Sequence, residues 1–443
     1  MNDPRDRARH LAVELGERLR PPEAVGRVAA NAPRVPGQPA WDPASLLLGH
    51  PGIALLHAVL SRHDRSWATA TRAHLAAAVD TSAGAARASR GGIVELVPAA
   101  VLHRTSDGGF SGLLEKASLS LAEICDSLTR TCEENLDRQG TNGPWVNYDV
   151  VTGLAGKARM LVALTDLGYE RCRTALRAAL RFLVALTRPV TVYGAEVPGW
   201  WSAPSQYADP DDRSRYPRGD FNLGLAHGIA GPLALLAIAE RKGYRVAGSA
   251  EAMRRIVEWL LGWVREDEFG PMWPQRVSFA EQAGRSGIEP LPTRAAWCYG
   301  TAGVARAIQL AGQALGDAGL SALAVDALRG IFARPWSRAD LEGPTICHGE
   351  TGLLMIALRA AADHPDPALR KCVDDLADRI IGSYSPAAPF GFQHHITHRS
   401  EPFFLDSPGL LQGAAGIALA LASFADRETN PSGTEWDSFL LLS

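Results

Sequence analysis

Two short stretches decide the fold: Arg294-Ala-Ala-Trp-Cys298-Tyr-Gly-Thr-Ala-Gly303 and Cys347-His348-Gly-Glu-Thr-Gly352. In each, residues that bind soft metals stand immediately before a Gly-x-x-Gly turn, and an apolar run follows the turn. The thiols of Cys298 and Cys347 and the imidazole of His348 are ligand types that Zn²⁺ prefers. Three protein ligands leave one coordination position open, which is typical of catalytic zinc sites and not of structural ones.

The Gly-x-x-Gly turn is repeated along the chain. Its six clear copies are Gly49–Gly52, Gly153–Gly156, Gly228–Gly231, Gly300–Gly303, Gly349–Gly352 and Gly413–Gly416. Longer amphipathic stretches lie between the copies, at 168–187, 249–264, 317–333 and 365–382. Apolar and amphipathic helices that alternate in this way are typical of paired-helix repeats. The sequence therefore predicts an all-α fold, an α/α toroid with about seven inner and seven outer helices.

The long interval between the first two copies is expected to hold a seventh unit. An apolar run at 93–102 follows Gly91-Gly92, and we interpret it as a degenerate inner helix with 113–137 as its outer partner. The match Gly109-Phe-Ser-Gly112 is the alternative start of this unit. No stretch of the sequence shows a convincing period-2 pattern of strands.

The remaining segments are assigned by their composition. Residues 4–20 are predicted to form a first outer helix and 21–45 a Pro-rich connection. The segment from Tyr193 to Leu223 is rich in Pro, Gly and aromatic residues, and we expect an ordered loop over the mouth of the cavity. No linker or charge run marks a boundary, so one domain over residues 1–443 is predicted.

Composition argues against several classes of function. The 443 residues carry 45 Lys and Arg against 48 Asp and Glu, and a net charge of -3 gives no basic surface for nucleic acid or anionic membrane. No stretch approaches the roughly 18–20 apolar residues that span a bilayer. Six cysteines are too few for a disulfide framework. We therefore expect a cytoplasmic protein without a transmembrane segment, in which Cys125, Cys132, Cys172 and Cys372 are core residues.

Two further residues stand before glycine turns and are candidates for proton transfer. His227 directly precedes Gly228, as His348 precedes Gly349, and a general acid or base role competes with that of a hydrogen-bonded structural histidine. Asp149 precedes Gly153 by four residues, and helix capping is the rival to a role as a cavity carboxylate. The common turn end of the repeat is expected to place His227 facing the metal.

Other polar residues near the motifs are weaker candidates. Arg294 and Tyr299 flank Cys298 and either support the site or only pack against it. The cluster of His394, His395 and His398 is interpreted as part of a loop and not as a metal site.

Together, Trp297-Cys-Tyr-Gly300, Cys347-His-Gly349, Gly224-Leu-Ala-His-Gly228 and the repeated turns make the chain resemble the lanthionine synthetase C family, the lanthipeptide cyclases. The resemblance covers essentially the whole length and is closest to the stand-alone cyclases. It implies one catalytic Zn²⁺ held by Cys298, Cys347 and His348. It also implies proton transfer by His227 and Asp149, with Arg294 and Tyr299 beside them.

The resemblance implies a reaction and its partners. A cysteine thiol of a dehydrated precursor peptide, made of leader and core, would add to dehydroalanine or dehydrobutyrine and form a lanthionine or methyllanthionine ring. The cognate dehydratase is a possible second partner in this antibiotic biosynthesis.

Functions from other classes stay open at this stage. A related toroid could bind modified peptides or glutathione without cyclising them. A zinc prenyltransferase-like α/α barrel would need an acidic zinc ligand and a basic pocket for a diphosphate, and a glycosidase-type toroid would need paired carboxylates. The sequence shows neither pattern beside the thiols.

Overall fold

The computed structural model describes residues 3–33, 35, 40–84, 92–139, 144–207, 209–284, 293–398, 401–428 and 435–443. Most of these residues are helical, as predicted. The helices are, in chain order, α1 (Pro4–Arg18), α2 (Pro22–Ala30), α3 (His50–Leu60), α4 (Trp67–Gly84), α5 (Val97–Asp107), α6 (Ser111–Gln139), α7 (Leu154–Asp166), α8 (Glu170–Leu186), α9 (Pro210–Arg215), α10 (Ala230–Arg241), α11 (Ser249–Gly262), α12 (Phe279–Gln282), α13 (Thr301–Leu315), α14 (Ala318–Ala333), α15 (Glu350–Asp363), α16 (Pro367–Gly382) and α17 (Ala414–Ala425).

Apolar helices alternate with amphipathic ones along the chain. The predicted inner helices are α3, α5, α7, α10, α13, α15 and α17, and the predicted outer helices are α1, α4, α6, α8, α11, α14 and α16. Every residue of α3 and of α17 is buried, as expected for a helix that is apolar on all sides. Within the described residues, pairs such as α3 with α4 and α13 with α14 pack together. In the part of the chain that the structure describes, a helix is found for each of the seven predicted inner and seven predicted outer positions.

The interval that was expected to hold the seventh unit contains α5 and α6. A short 3₁₀ turn over Gly92–Leu96 leads into α5, and the long α6 covers the predicted outer stretch 113–137. The inner helix thus starts a few residues later than predicted, and Gly91 lies outside the described residues.

The chain divides into two compact units. The first unit comprises Met1–Ser120 and Leu341–Asp437, and the second comprises Leu121–Asp340 and Ser438–Ser443. In the first unit α15 packs on α17, α17 on α3, and α3 on α5; in the second unit α7 packs on α10, and α10 on α13. Successive inner helices are therefore neighbours within each unit. The single domain over residues 1–443 stays a prediction.

Glycine is required where an inner helix begins. Gly300 has a φ of +92°, a backbone conformation that side chains with a Cβ rarely adopt, and a Cβ there would also overlap the backbone of Arg294. A Cβ on Gly303 would lie 2.9 Å from Cβ of Leu225, on the neighbouring turn. The two glycines of the repeat thus permit a tight turn and close packing of adjacent helix starts.

Eight short strands also occur in the described residues, although none was predicted. They are β1 (Val190–Val192), β2 (Ala195–Val197), β3 (Asp220–Asn222), β4 (Arg265–Asp267), β5 (Gly270–Met272), β6 (Arg276–Ser278), β7 (His394–His398) and β8 (Glu401–Leu405). They pair antiparallel as β1 with β2, β3 with β6, β4 with β5, and β7 with β8. Most have three residues, too few for a period-2 pattern to be recognised.

Two assignments of connecting segments need correction. The stretch 21–45 contains α2, which begins with Pro22 in its first turn, a position where proline fits a helix well. The cluster around His394 is not a loop, because His394–His398 forms β7.

The segment Tyr193–Leu223, described except for residue 208, is ordered but is not only a loop, because it contains β2, α9 and β3. Its Tyr207 and Tyr216 are buried, and the guanidinium of Arg276 lies 5.0 and 4.2 Å from the centres of their rings. Arg276 also pairs with buried Asp220 of β3. The position of this segment over a cavity mouth stays a prediction.

A search of the described residues for membrane spans gives a negative result, because none of their helices combines sufficient length with sufficient apolar character.

Candidate active site

Backbone hydrogen bonds join successive glycine turns of the second unit. The N–H of Val150 donates to the carbonyl oxygen of Ala226 at 2.9 Å, and the N–H of Ala226 donates to that of Cys298 at 3.2 Å. Asp149 and His227 are the direct chain neighbours of Val150 and Ala226. The turns therefore fix the predicted residues of this unit relative to one another through the main chain.

Asp149 uses its two carboxylate oxygens for two purposes. Oδ1 accepts hydrogen bonds from the N–H groups of Thr152 and Gly153, in the manner of a helix cap. Oδ2 lies 2.7 Å from Nδ1 of His227, and the Asp149 side chain is fully buried. Both interpretations of Asp149 are therefore supported: it caps the turn and it contacts the histidine.

The contact with Asp149 determines how His227 is presented. A carboxylate oxygen can only accept, so Nδ1 of His227 carries the hydrogen, and Nε2 is the ring atom left for proton transfer. The side chain is 24% exposed, which leaves it accessible to a substrate. The ring of Trp145 packs edge-on against it at 4.5 Å between centres and limits its rotation.

Tyr299 lies beside His227, with 5.9 Å between the ring centres. Burial raises the pKa of its phenol, the neighbouring Cys298 adds to this, and a hydrogen bond with the Asn222 side chain opposes it. The phenol is therefore neutral at physiological pH and keeps its proton. Asn222 itself accepts from the N–H of Gly224, so the loop before His227 also positions Tyr299.

Arg294 is held by an ion pair at this turn. Its Nε donates to Oδ2 of Asp340 at 2.8 Å, and its side chain is 19% exposed. The Arg294 carbonyl accepts from the N–H of Thr301, which closes the turn around Cys298. Support of Asp149 by Arg294 stays a prediction.

The turn of Cys347 and His348 in the first unit follows the same pattern. The N–H of Cys347 donates to the Leu411 carbonyl at 3.0 Å. Nε2 of His348 lies 3.4 Å from Oε2 of Glu342, and the Glu342 N–H donates to the His348 carbonyl at 2.9 Å. Glu342 thus contacts both the ring and the backbone of His348. Because Nε2 faces Glu342, we assign metal binding to the other ring nitrogen, Nδ1.

The three predicted metal ligands come close together. One ligand atom from each of Cys298, Cys347 and His348 lies within 4.8 Å of the other two, and among the described residues no other group of three Cys, His, Asp or Glu side chains does so. Both cysteines stand three residues before a helix, where free N–H groups favour thiolates. Two thiolates and one imidazole fit zinc better than magnesium or calcium, which require oxygen ligands.

Comparison with known protein families shows which family this chain belongs to. The family described as lanthionine synthetase C-like protein matches residues 40–441. The chain belongs to this family.

Individual relatives agree with this assignment. The chain is 26% identical over 344 residues to the nisin biosynthesis protein NisC of Lactococcus lactis subsp. lactis, which covers 77% of this chain and 74% of the relative. The solved structure of nisin cyclase superimposes with a TM-score of 0.73 at 21% identity, covering 91% of this chain and 93% of that one. This match confirms the predicted α/α toroid fold.

Two residues of this lanthionine synthetase C-like chain had not been singled out as site residues. Glu342 lies six residues before His348, and nothing in the sequence marks it as a partner of that ring. His394 had been assigned to a loop, whereas in β7 its ring lies 5.2 Å from that of His348. Burial, together with the neighbouring His348 and His395, lowers the pKa of His394 to about 3.

The remaining cysteines lie apart from the ligand group. Cys125, Cys132 and Cys172 are buried, as predicted, and Cys372 is half-buried. Burial raises the pKa of both Cys125 and Cys132 to about 12, so these thiols stay protonated.

Proposed function

We propose that this member of the lanthionine synthetase C-like family is a zinc-dependent lanthipeptide cyclase. Its substrate would be a dehydrated precursor peptide, leader plus core, supplied by a dehydratase. Cysteine thiols of this peptide would add to dehydroalanine or dehydrobutyrine and form lanthionine or methyllanthionine. The observation that carries the proposal is the joint presence of a three-ligand thiol and imidazole group and an Asp149–His227 pair.

Cys298, Cys347 and Nδ1 of His348 would hold the metal. Zinc, when bound there, would accept a substrate thiol at its open position and lower its pKa from about 8.5, so that the thiol reacts as the thiolate near neutral pH. Addition of that sulfur to the β-carbon of the dehydro residue moves an electron pair onto the adjacent carbonyl and leaves an enolate. The thiol gives up its proton when the thiolate forms, and the α-carbon of this enolate takes up one proton in its place, so the net reaction adds S–H across the C=C bond.

His227 would deliver this proton from Nε2. The carboxylate of Asp149 holds the opposite ring nitrogen and keeps the ring in one orientation, because its own position is fixed by the Thr152 and Gly153 N–H groups. Acid catalysis by a positioned side chain contributes about 10²–10⁴-fold to the rate. Tyr299, with a raised pKa, would offer a hydrogen bond to the developing negative charge and not act as a base. Arg294 would add positive charge at the same turn.

The proposal extends to the setting of the reaction. Thiol ligands that form no disulfide suit a reducing compartment such as the cytoplasm. Precursor, dehydratase and this protein would act in the same antibiotic-type pathway.

The test uses the dehydrated nisin precursor and counts free thiols by alkylation and mass spectrometry. We expect zinc-loaded protein to remove peptide thiols faster than buffer alone, and His227→Ala to lower this rate by about 10²-fold or more while keeping its zinc. Protein that holds zinc and binds the peptide without accelerating thiol loss would refute the cyclase and favour a peptide-binding member of the family.

A further inference from the structure

A cavity of about 120 Å³ lies in the first unit, next to β7. Its walls come from the end of α2 and the residues after it, from residues before α3, from β7, and from the end of β8 and the residues after it. They include Ala32, Trp41, Leu48, His394 and Gln412, and the lining is about half apolar and half polar. None of these residues has been assigned a role in metal binding or proton transfer.

His394 is one of four polar side chains in the lining, together with Asp406, Ser407 and Gln412. It is 2% exposed, and its Nδ1 lies 3.3 Å from the hydroxyl oxygen of Thr345. Its Nε2 has no hydrogen-bond partner in the described part of the chain. A buried ring nitrogen without a partner is energetically unfavourable, so a hydrogen bond from a bound ligand would relieve this cost.

The cavity lies beside the candidate metal ligand His348. The ring of His394 is 5.2 Å from the ring of His348, centre to centre. Gln412 directly precedes Gly413, which is the place that His348 occupies before Gly349 in its own turn. Since consecutive Cα atoms are about 3.8 Å apart, a peptide whose cysteine reaches the metal places its adjacent residue within reach of this cavity.

We propose that this cavity binds the uncharged side chain of the substrate residue next to the reacting cysteine, with Nε2 of His394 hydrogen-bonded to the peptide backbone. The proposal rests on the proposed function, because a peptide substrate is what brings a residue to this point. The volume exceeds the roughly 10–15 Å³ that one water requires and approaches the roughly 150 Å³ of a protein cavity that binds benzene. It therefore accommodates one aliphatic or small aromatic side chain. Asp406 is the charged residue in the lining, which disfavours an acidic side chain.

Binding can be tested without turnover. The probe is N-acetyl-leucine methylamide, which has one apolar side chain between two peptide groups, and N-acetylglycine methylamide is the matched probe without the side chain. Both are titrated into zinc-loaded, ¹⁵N-histidine-labelled full-length protein. The ring resonances of His394 are identified as those that disappear in His394→Asn.

We expect a saturable shift of the His394 resonances with the leucine probe and a weaker one with the glycine probe. Ala32→Leu, which fills the cavity from its half-buried rim, should weaken binding at least tenfold. His394→Asn lacks the reporting resonances, so its binding of the leucine probe is measured by the heat of binding. Its affinity should be about fivefold weaker, which is the effect of one hydrogen bond. His395→Asn is the matched control, since this neighbouring ring packs against Phe404 at 4.8 Å and does not line the cavity.

Three results would overturn the inference: no saturable shift with the leucine probe, equal binding of the two probes, or unchanged affinity in Ala32→Leu. In the first case the cavity holds water only. Zinc content and thiol loss are measured on the same samples. Intact probe binding without cyclisation would therefore refute the proposed function alone, and cyclisation without probe binding would refute this inference alone.

Discussion

Acid should destabilise the first unit through a buried group of three histidines. His50, His57 and His74 are 4%, 0% and 0% exposed. Nε2 of His57 bonds to the Gly16 carbonyl at 3.1 Å, which makes it the hydrogen-bond donor and leaves Nδ1 without a partner. Burial lowers the pKa of His57 to about 4. It lowers that of His50 to about 4 and that of His74 to about 2 as well.

The effect of His57 on the free energy of unfolding follows from this pKa. An unfolded chain has a histidine pKa of about 6.5, so below that pH it binds a proton that the folded chain excludes. The stabilisation is complete above pH 6.5 and is lost as the pH falls towards 4. At about 1.36 kcal/mol per pKa unit the full effect is about 3.4 kcal/mol, of which about 2 kcal/mol is lost by pH 5.

Urea unfolding of the wild type and of His57→Phe at pH 7 and pH 5 measures this contribution. Phenylalanine keeps the ring that stacks on Trp67 but does not titrate. At pH 7 the variant should be less stable, since the Gly16 carbonyl loses its donor. Between pH 7 and pH 5 it should lose about 2 kcal/mol less than the wild type, because titrating groups outside the histidine cluster cancel in this comparison. Equal losses in the two proteins would refute this account.

Further predictions concern the site and its turns. Asp149→Asn should lower the rate of thiol loss by about 10²-fold without loss of zinc, because an amide no longer fixes the His227 ring; an unchanged rate would contradict the assigned role. Glu342→Ala should weaken zinc affinity by about 10–100-fold in a chelator competition, whereas the exposed Glu268→Ala should not change it. Gly300→Ala should destabilise the protein by about 2–4 kcal/mol in urea unfolding, because its positive φ coincides with an overlap between the new Cβ and the backbone. Gly316→Ala is the control: its φ is +71° but no atom lies within 4 Å of the new Cβ, so it should cost about 1 kcal/mol.

The turn and helix repeat was visible in the sequence because each copy obeys a strict local rule. Gly-x-x-Gly marks the place where an inner helix begins against its neighbour, as the close approach of Gly303 to Leu225 shows. The alternation of apolar and amphipathic runs then predicted seven helices of each kind. The same alternation indicated an α/α toroid, and the family resemblance implied the same fold.

Helix α2 and strand β7 were not predicted, because no local sequence pattern marks them. α2 was hidden by the prolines around it, although Pro22 occupies a position that starts helices. Strand β7 was missed because Gly391 and Pro402 flank it, and its alternation of buried His394 and Ile396 with more exposed neighbours is short. Such pairs form through tertiary packing, which sequence propensity does not reveal.

The candidate site likewise contains residues that the sequence reveals and contacts that it does not reveal. Cys298, Cys347 and His348 could be found because they occupy repeated places before glycine turns. The contact of Glu342 with His348 depends on the path of a loop, and the unpartnered nitrogen of His394 depends on strand pairing. These features require coordinates, since no residue spacing encodes them.

Zinc content is the most direct test of the central claim. Elemental analysis of metal-replete wild type should give about one zinc per chain, and Cys298→Ala, Cys347→Ala and His348→Ala should each lose or weakly retain it. Cys372→Ala, a half-buried thiol outside the ligand group, should keep the wild-type content. Wild-type protein without zinc, or full zinc in all three ligand variants, would contradict the proposed thiolate chemistry.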